Sequence, residues 1–497
     1  MFRRGDGCAR GGLRLVNAPT VLVLGGGFSG AVFATHLLRA ARAPLELVIV
    51  EPRQELGAGL AYGSASFEHR INVPSDKMIV FREDPAHLTR WVRAQGLFES
   101  DADALSAEGH HYSRRADFAR YVAALLEDAC LGAPPGSTLR HVRARAISVA
   151  SLCAGSHARH RVQLDDGSTL DGDAVVVTAS HETPSFPWPL DERAAAHAGL
   201  VRDPWVQLRC LDVEAMPDDS TIFVAGTGLT LCDVVVSLAR RGFRGRVLAV
   251  SRRALLPRTH GSFSDGFDLL GGQPVPATAR ALLRRVREAV RRTTDWRAAL
   301  DAARFMLPVL WQALPPGERR RAVRWLRPFW DVHRFRMAPQ VDALLRGLLE
   351  SGRLRVAAGR IAAIGSGSDG LLDVHWHSRD GGAHRTRCTA FVNCTGPSGD
   401  PARNENPLIR SLLASGLATA DAAGVGLDCD ADGRLRRRDG RLAEHLCVAG
   451  PLARAAVAEV TGVPEASAHA RRVAERLAAD PALRSPASPT VCRQEAR

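Results

Sequence analysis

Gly25, Gly27 and Gly30 stand at the spacing of a phosphate cradle, and Glu51 follows Gly30 by 21 residues. In such a cradle the first glycine makes a tight turn and the second lets backbone approach a pyrophosphate. The third lets helix and strand pack closely, N–H groups at the helix start face the phosphates, and a later acid accepts from a ribose. Phe28 and Ser29 fill the turn, and Arg53 follows the acid. The surrounding elements fit. Residues 20–24 (TVLVL) are a continuous apolar run, as in a parallel strand buried on both faces, 31–41 read as helix, and 45–50 (LELVIV) repeat the strand pattern. Strand, glycine turn, helix, strand and acid together make a dinucleotide-binding module. The glycines alone would make only a flexible turn.

A second copy begins at 220–231 (STIFVAGTGLTL), with Gly226 and Gly228 in the cradle and Leu231 where the third glycine would be. The bulkier residue predicts a wider spacing of helix and strand. Its next strand, 246–250, ends in Ser251, Arg252 and Arg253 rather than an acid. A guanidinium there can pair with the 2′-phosphate of NADPH, although NADH stays open. The regions downstream echo each other: 139–149 and 354–364 look alike, and each leads through hairpin-like segments to a buried strand, 174–180 and 390–396, the latter ending at Gly396. The expected organisation is α/β, with two Rossmann-like modules in the manner of the glutathione-reductase-like two-dinucleotide flavoproteins, and a helical insertion. Its parts are a tail at 1–17, a first module at 18–190, a second at 191–400 containing a helical cap at about 275–352, a return to the first module at 401–480, and a tail at 481–497.

Composition narrows the class. The 497 residues carry a net charge of +13, yet Lys77 is the only lysine, so the arginine excess reflects codon bias more than a polyanion partner. Residues 271–340 hold 15 arginines against five acids, a patch able to attract an anionic substrate or cofactor. No nucleic-acid module accompanies it, no apolar run approaches a membrane span, and no signal-peptide core is present. Ten scattered cysteines form no Cys-x-x-Cys and no zinc spacing. This implies no metal, no dithiol centre and a reducing, cytoplasmic setting; Cys388 and Cys394 read as one strand, too far apart to bridge.

Four stretches carry a closer resemblance: GGGFSGAVFATHLLR (25–39), EPRQELGAGLAYG with INVPSDKM (51–63, 71–78), RPFWDVHRFRMAP (327–339) and FVNCTGP (391–397). They resemble a bacterial FAD/NAD(P)-binding family that includes FAD-dependent urate hydroxylases and aspartate N-monooxygenases. The resemblance runs from about residue 18 to 480. It implies FAD in the first module and a nicotinamide nucleotide in the second. It also implies that the loop through Gly57, Gly59, Gly63 and Asn72 passes over the flavin, and that a helix opening at Pro464 points at the flavin pyrimidine. Ser180 departs from the glycine usual at that position, and the Baeyer–Villiger fingerprint is absent.

Lys77 is a point charge that arginine does not imitate, and His333, Arg334 and Arg336 cluster beside Phe329 and Trp330. These four are the candidate catalytic residues; the bland alternatives are a leftover lysine and a solvated helix face. The expected reaction is oxygen transfer through a C4a-hydroperoxyflavin to a small anionic substrate, with urate to 5-hydroxyisourate first. Aspartate-type N-hydroxylation is the alternative, and a non-oxygenating flavin dehydrogenase or reductase stays open. A nucleotide sensor fits two complete modules least well.

Overall fold

The computed structural model describes residues 18–483 apart from 64–68, 155–156, 180–183, 263–265, 368 and 398. Ser180, the tail at 1–17 and residues 484–497 therefore lie outside the described residues. The chain forms two compact units. The first is made of residues up to Gly59, Ala119–Ser180, and Asp400 onward; the second of Leu60–Phe118 and His181–Gly399. Residues 60–118, expected in the first module, thus belong to the second unit. The reason lies in specific polar contacts. Arg115 Nη2 donates to both carboxylate oxygens of Asp233 at 3.0 Å, and His69 Nε2 lies 2.8 Å from Ser237 Oγ, both partners on helix Leu229–Arg240.

The first unit is built on a six-stranded sheet in the order Arg434–Arg436, Leu442–Val448, Ala174–Val177, Thr20–Leu24, Glu46–Val50, Thr138–Val142. Its inner strands are parallel, and their near-continuous apolar sequences follow from burial on both faces. Leu22, Leu24, Val48, Val50, Val175 and Val177 pack in one core on one face. Each such side chain contributes about 1.5–3 kcal/mol relative to exposure. Helix Phe28–Ala40 and the last helix, Val463–Ala479, pack against each other, joined by His36 Nε2 and Ser467 Oγ at 3.0 Å. A three-stranded antiparallel sheet, Ala146–Ala154, His157–Leu164 and Thr169–Gly172, completes this unit.

The second unit has a seven-stranded sheet in the order Ala383–Cys388, Leu372–Ser378, Leu354–Ser366, Arg246–Ser251, Thr221–Ala225, Ala390–Asn393, Leu200–Val201. The two echoes differ in detail. In the first, the Ala144 N–H bonds to the Val142 carbonyl and the chain breaks there into two sheets. In the second, one 13-residue strand pairs in parallel with Arg246–Ser251 and then antiparallel with Leu372–Ser378. Cys388 and Cys394 do not share a strand, because Thr389 separates an antiparallel edge from a parallel interior strand.

The helical insertion runs from Ala279–Arg291 through Trp296–Phe305, Leu307–Gln312 and Pro316–Arg321 to Arg327–Arg334 and Pro339–Glu350. Thr278 Oγ1 and Asp295 Oδ1 cap the first two helices by accepting from Ala281 and Arg297 N–H groups. A π-helical turn, Ala322–Leu326, precedes Pro328, which has no N–H to continue the ordinary ladder. Among the tryptophans, Trp311 is buried and Trp330 packs on the insertion's core, whereas Trp325 is exposed. Among the described residues no helix is long and apolar enough to cross a membrane.

Candidate functional site

In the first unit Gly25 has φ +115°, and a Cβ there would stand 2.9 Å from the Ala179 backbone nitrogen. A Cβ on Gly30 would stand 2.0 Å from the Gly25 carbonyl oxygen, so helix and turn are in backbone contact. Gly27 is the N-cap of the helix and no side chain caps it, as a helix start that receives an anion requires. Gly59 closes on this turn: a Cβ on Gly27 would lie 3.2 Å from Gly59 Cα, and the Gly57 N–H bonds to the Gly26 carbonyl.

Glu51 is only 5% exposed. Its Oε2 accepts the Gly26 N–H at 2.9 Å, and its Oε1 accepts the backbone N–H and Nη1 of Arg53, both at 3.1 Å. The acid therefore braces the turn as well as standing at the strand end where a ribose would lie. Pro464 occupies the first turn of the last helix, whose N-cap, Gly462, also lacks a side-chain cap. This cradle, in which a Cβ at Gly25 or Gly30 would strike backbone, fits a dinucleotide pyrophosphate.

In the second unit Gly226 has φ +107°, with a Cβ position 2.4 Å from the Cys394 carbonyl oxygen, while Gly228 caps helix Leu229–Arg240 and faces open space. Leu231 is fully buried in the module's core. Ser251 does not project as an acid would: its Oγ bonds to Thr227 Oγ1 at 2.8 Å and accepts the Ala254 N–H at 3.0 Å. Arg252 is exposed, and the Arg253 guanidinium lies 5.8 Å over the Phe329 ring. Gly396 follows the buried strand with φ +74°. Beside it Asn393, not singled out from sequence, is fully buried. Its amide donates to the Ser185 and Arg202 carbonyls and its Oδ1 accepts from Thr395, so it ties down the loop carrying Gly396.

The catalytic candidates also lie in the second unit. Lys77 is exposed at the end of a 3-10 turn, Ser75–Lys77. That turn is anchored by the Ser75 N–H on the His111 carbonyl at 2.8 Å and by Ser75 Oγ, 3.1 Å from His111 Nδ1 and 2.9 Å from Ser113 Oγ. Asn72, just upstream, is half-buried. His333 donates from Nδ1 to the Phe329 carbonyl at 2.7 Å and meets Trp296 edge-on. Arg334 is buried against Phe335. Arg336 is buried and held, with Nη2 on Asp301 at 3.0 Å and Nε on the His333 carbonyl at 2.9 Å. Burial lowers its pKa from the ordinary arginine value. It shapes the site more than it reaches out of it.

Sequence reasoning missed the group that Arg336 surrounds. Residues 258–260 pair with the segment ending at Met337, which sets His260 near Tyr112, ring centroids 6.2 Å apart. Burial first, then the guanidinia of Arg336 and Arg297, push the His260 imidazole down to about 3. Its Nδ1 accepts the Gly261 N–H at 3.0 Å, so the neutral ring carries its proton on Nε2. The buried Tyr112 hydroxyl has no hydrogen-bond partner among the described residues. Next to them His110 Nε2 bonds to Ser262 Oγ at 2.8 Å, Ser262 donates to Glu108, and His110 Nδ1 lies 4.0 Å from Asp76, the neighbour of Lys77. Burial raises the Tyr112 phenol, with Glu108 and Asp76 pushing the same way and Arg336 and Arg297 opposing. The Lys77 turn and the 333–336 segment are thus linked through residues 108–112 and 260–262. Their shared signal in the sequence is a set of isolated histidines with no common spacing.

Among the described residues no set of three or more His, Cys, Asp or Glu could hold a metal. Among the described residues the seven cysteines of known surroundings, buried Cys232, Cys388 and Cys394 included, form no disulfide.

A family model described as FAD-NAD(P)-binding matches residues 22–182. The L-lysine 6-monooxygenase from Pseudomonas syringae superposes with a TM-score of 0.61 at 16% identity, over 93% of this chain and 100% of that one. The fold is that of the two-dinucleotide flavoproteins. The ornithine N-hydroxylase of Kutzneria sp. 744, solved with reduced FAD, NADP+ and L-ornithine, superposes at 0.60 and 14% identity, over 93% and 99% of the two chains. In sequence, an L-aspartate N-monooxygenase (nitrosuccinate-forming) of Streptomyces davaonensis is 27% identical over 251 residues, 44% of this chain. The match spans 38% of that relative's length. The two cradles described above have the form that FAD and a nicotinamide nucleotide need, and the model matched over the first one is described as FAD-NAD(P)-binding.

Proposed function

We propose that the chain is an FAD- and NADPH-dependent monooxygenase that hydroxylates the amino group of a small amino acid bearing a second carboxylate, of the aspartate type. The observation that carries the substrate class is the neutral His260 imidazole, its proton on Nε2, held beside Arg336 and Arg297, which are themselves paired with Asp301 and Asp295: a neutral donor suited to a carboxylate. The relatives described above are named for amino-group hydroxylation, and the nitrosuccinate-forming one is named for aspartate. Urate, first in the expectation from sequence, draws no support from them, and aspartate-type N-hydroxylation takes its place.

Bound FAD supplies hydride acceptance and oxygen activation. The protein supplies the rest. The Gly25–Gly30 turn holds the FAD pyrophosphate, and Glu51 faces the adenosine ribose. Gly226 and Gly228 receive the nicotinamide nucleotide, with Arg252 on its 2′-phosphate. His260 donates from Nε2 to a substrate carboxylate, and Lys77 adds a cation from its anchored turn.

NADPH oxidation and oxygen uptake, followed with aspartate, glutamate, ornithine, lysine and urate, test the proposal. Aspartate should accelerate both with little free peroxide and yield an N-hydroxylated product. Stimulation by urate with loss of its absorbance would restore purine hydroxylation. NADPH oxidation through an added electron acceptor, with no oxygenated product from any of the five, would favour a reductase.

A further inference from the structure

We propose that Glu459 is a positioning residue for the flavin half of FAD and sets how readily that flavin is reduced; this rests on FAD occupying the first cradle. The order of strands gives the direction of the cofactor. Glu51, at the end of Glu46–Val50, marks the adenosine side, and the glycine turn after Thr20–Leu24 marks the pyrophosphate. The riboflavin half is left with the carboxyl ends of Ala174–Val177 and Leu442–Val448. The chain that leaves Val448 stays at that edge: a Cβ on Gly450 would stand 2.4 Å from Ser29 Oγ in the first turn of the fingerprint helix. It then runs through 451–462 to the uncapped start of helix Val463–Ala479. Both helices follow parallel strands, so their positive ends share one edge of the sheet.

Just ahead of that helix, Ala458 takes φ +62° and ψ −38°, and the Glu459 N–H reaches back to the Val457 carbonyl at 2.7 Å. This γ-turn is rare for a residue with a Cβ. Arg454 Nε holds its carbonyl at 3.3 Å. The turn drives Glu459 inward to 3% exposure, where Oε1 accepts the Thr461 N–H at 3.0 Å and the Thr461 hydroxyl. Thr461 directly precedes the N-cap, so one buried carboxylate fixes where the helix begins. Ionised, that carboxylate offsets the positive helix end. Taking up two electrons and one proton leaves a flavin one unit more negative, so a carboxylate here disfavours reduction.

The test is potentiometry of the holoenzyme. Glu459→Gln keeps an oxygen for Thr461 and removes the charge. It should retain one FAD while the reduced-to-oxidised ratio at fixed potential rises about tenfold, a positive shift of about 30 mV for a two-electron couple. Thr461→Val keeps the charge and loosens the tether, so FAD should dissociate several-fold faster with a smaller change in potential. A wild-type potential in Glu459→Gln, or lost FAD with an unchanged potential in what remains bound, overturns the proposal. If Glu459→Gln does not fold, Thr461→Val decides through its FAD dissociation rate, and an unchanged rate overturns it. A wild-type protein that binds no FAD overturns both this role and the cradle assignment.

Discussion

The two nucleotide cradles begin alike and close differently. In the first, the glycine turn is sealed by backbone contact, with Gly30 against the Gly25 carbonyl. In the second, Leu231 stands at the same step and is absorbed into the core with Ile222, Val224 and Val392. The first glycine behaves alike in both, with Gly226 against Cys394 as Gly25 is against Ala179. The strand ends diverge as well: a buried acid braced on Gly26 in one, an occupied serine beside an exposed arginine in the other. A dinucleotide fingerprint is therefore two requirements, a place for phosphate and a seam between helix and strand. In the second module the seam is met without a third glycine.

Substitutions at the seam separate these requirements most sharply. Gly30→Ala places a methyl on a backbone oxygen, and overpacking of this kind costs about 1–3 kcal/mol. The purified variant should lose stoichiometric FAD, read from its visible absorbance. Leu231→Ala should leave flavin in place and open a cavity in the second unit, lowering stability by about 2–5 kcal/mol in denaturant unfolding. If Leu231→Ala instead loses NADPH binding with stability intact, the leucine serves the ligand and the contrast fails.

Smaller effects sharpen the comparison at the strand ends. Arg252→Ala should raise the KM for NADPH about tenfold, the loss of one charge-assisted hydrogen bond, and leave NADH unchanged. Arg253→Ala, already stacked on Phe329, should change either value by less than about threefold, within the range of an exposed cation–π contact. Equal losses would show that both arginines face the nucleotide.

The units behave alike toward acid. His160 and His469 in the first and His260 in the second are held neutral by burial, at about 4, 4 and 3. Below an unfolded pKa of about 6.5 the unfolded chain binds protons that the folded chain refuses. Stability should fall as pH drops from about 6.5 toward 4, and His469→Leu should flatten part of that fall in thermal unfolding.

The first cradle was legible because its glycines, flanking strands and acid are local and periodic. Residues 60–118 were not, since their place depends on Arg115 meeting Asp233 and His69 meeting Ser237, single contacts across more than 100 residues of sequence. Arg336 read as a catalytic candidate, and its pairing was hidden because Asp301 stands 35 residues upstream. His260 carried no signal beyond being one of several isolated histidines: its environment is made by Arg297 and Arg336, which only the fold brings to it. Glu459 was equally silent, because its role follows from the backbone of Ala458 rather than from any pattern of residue types.

The first unit's sheet is gathered from distant parts of the chain, with Leu446 pairing to Val175 across 271 residues. On the ribosome the second unit is complete once Gly399 has emerged, while the first still lacks an interior strand. At about 5–20 residues per second, strand Ala174–Val177 waits on the order of 10–50 s for its neighbour. During that interval one edge of an apolar parallel strand is open to wrong partners. The first cradle can therefore be loaded only after the second unit has been made in full.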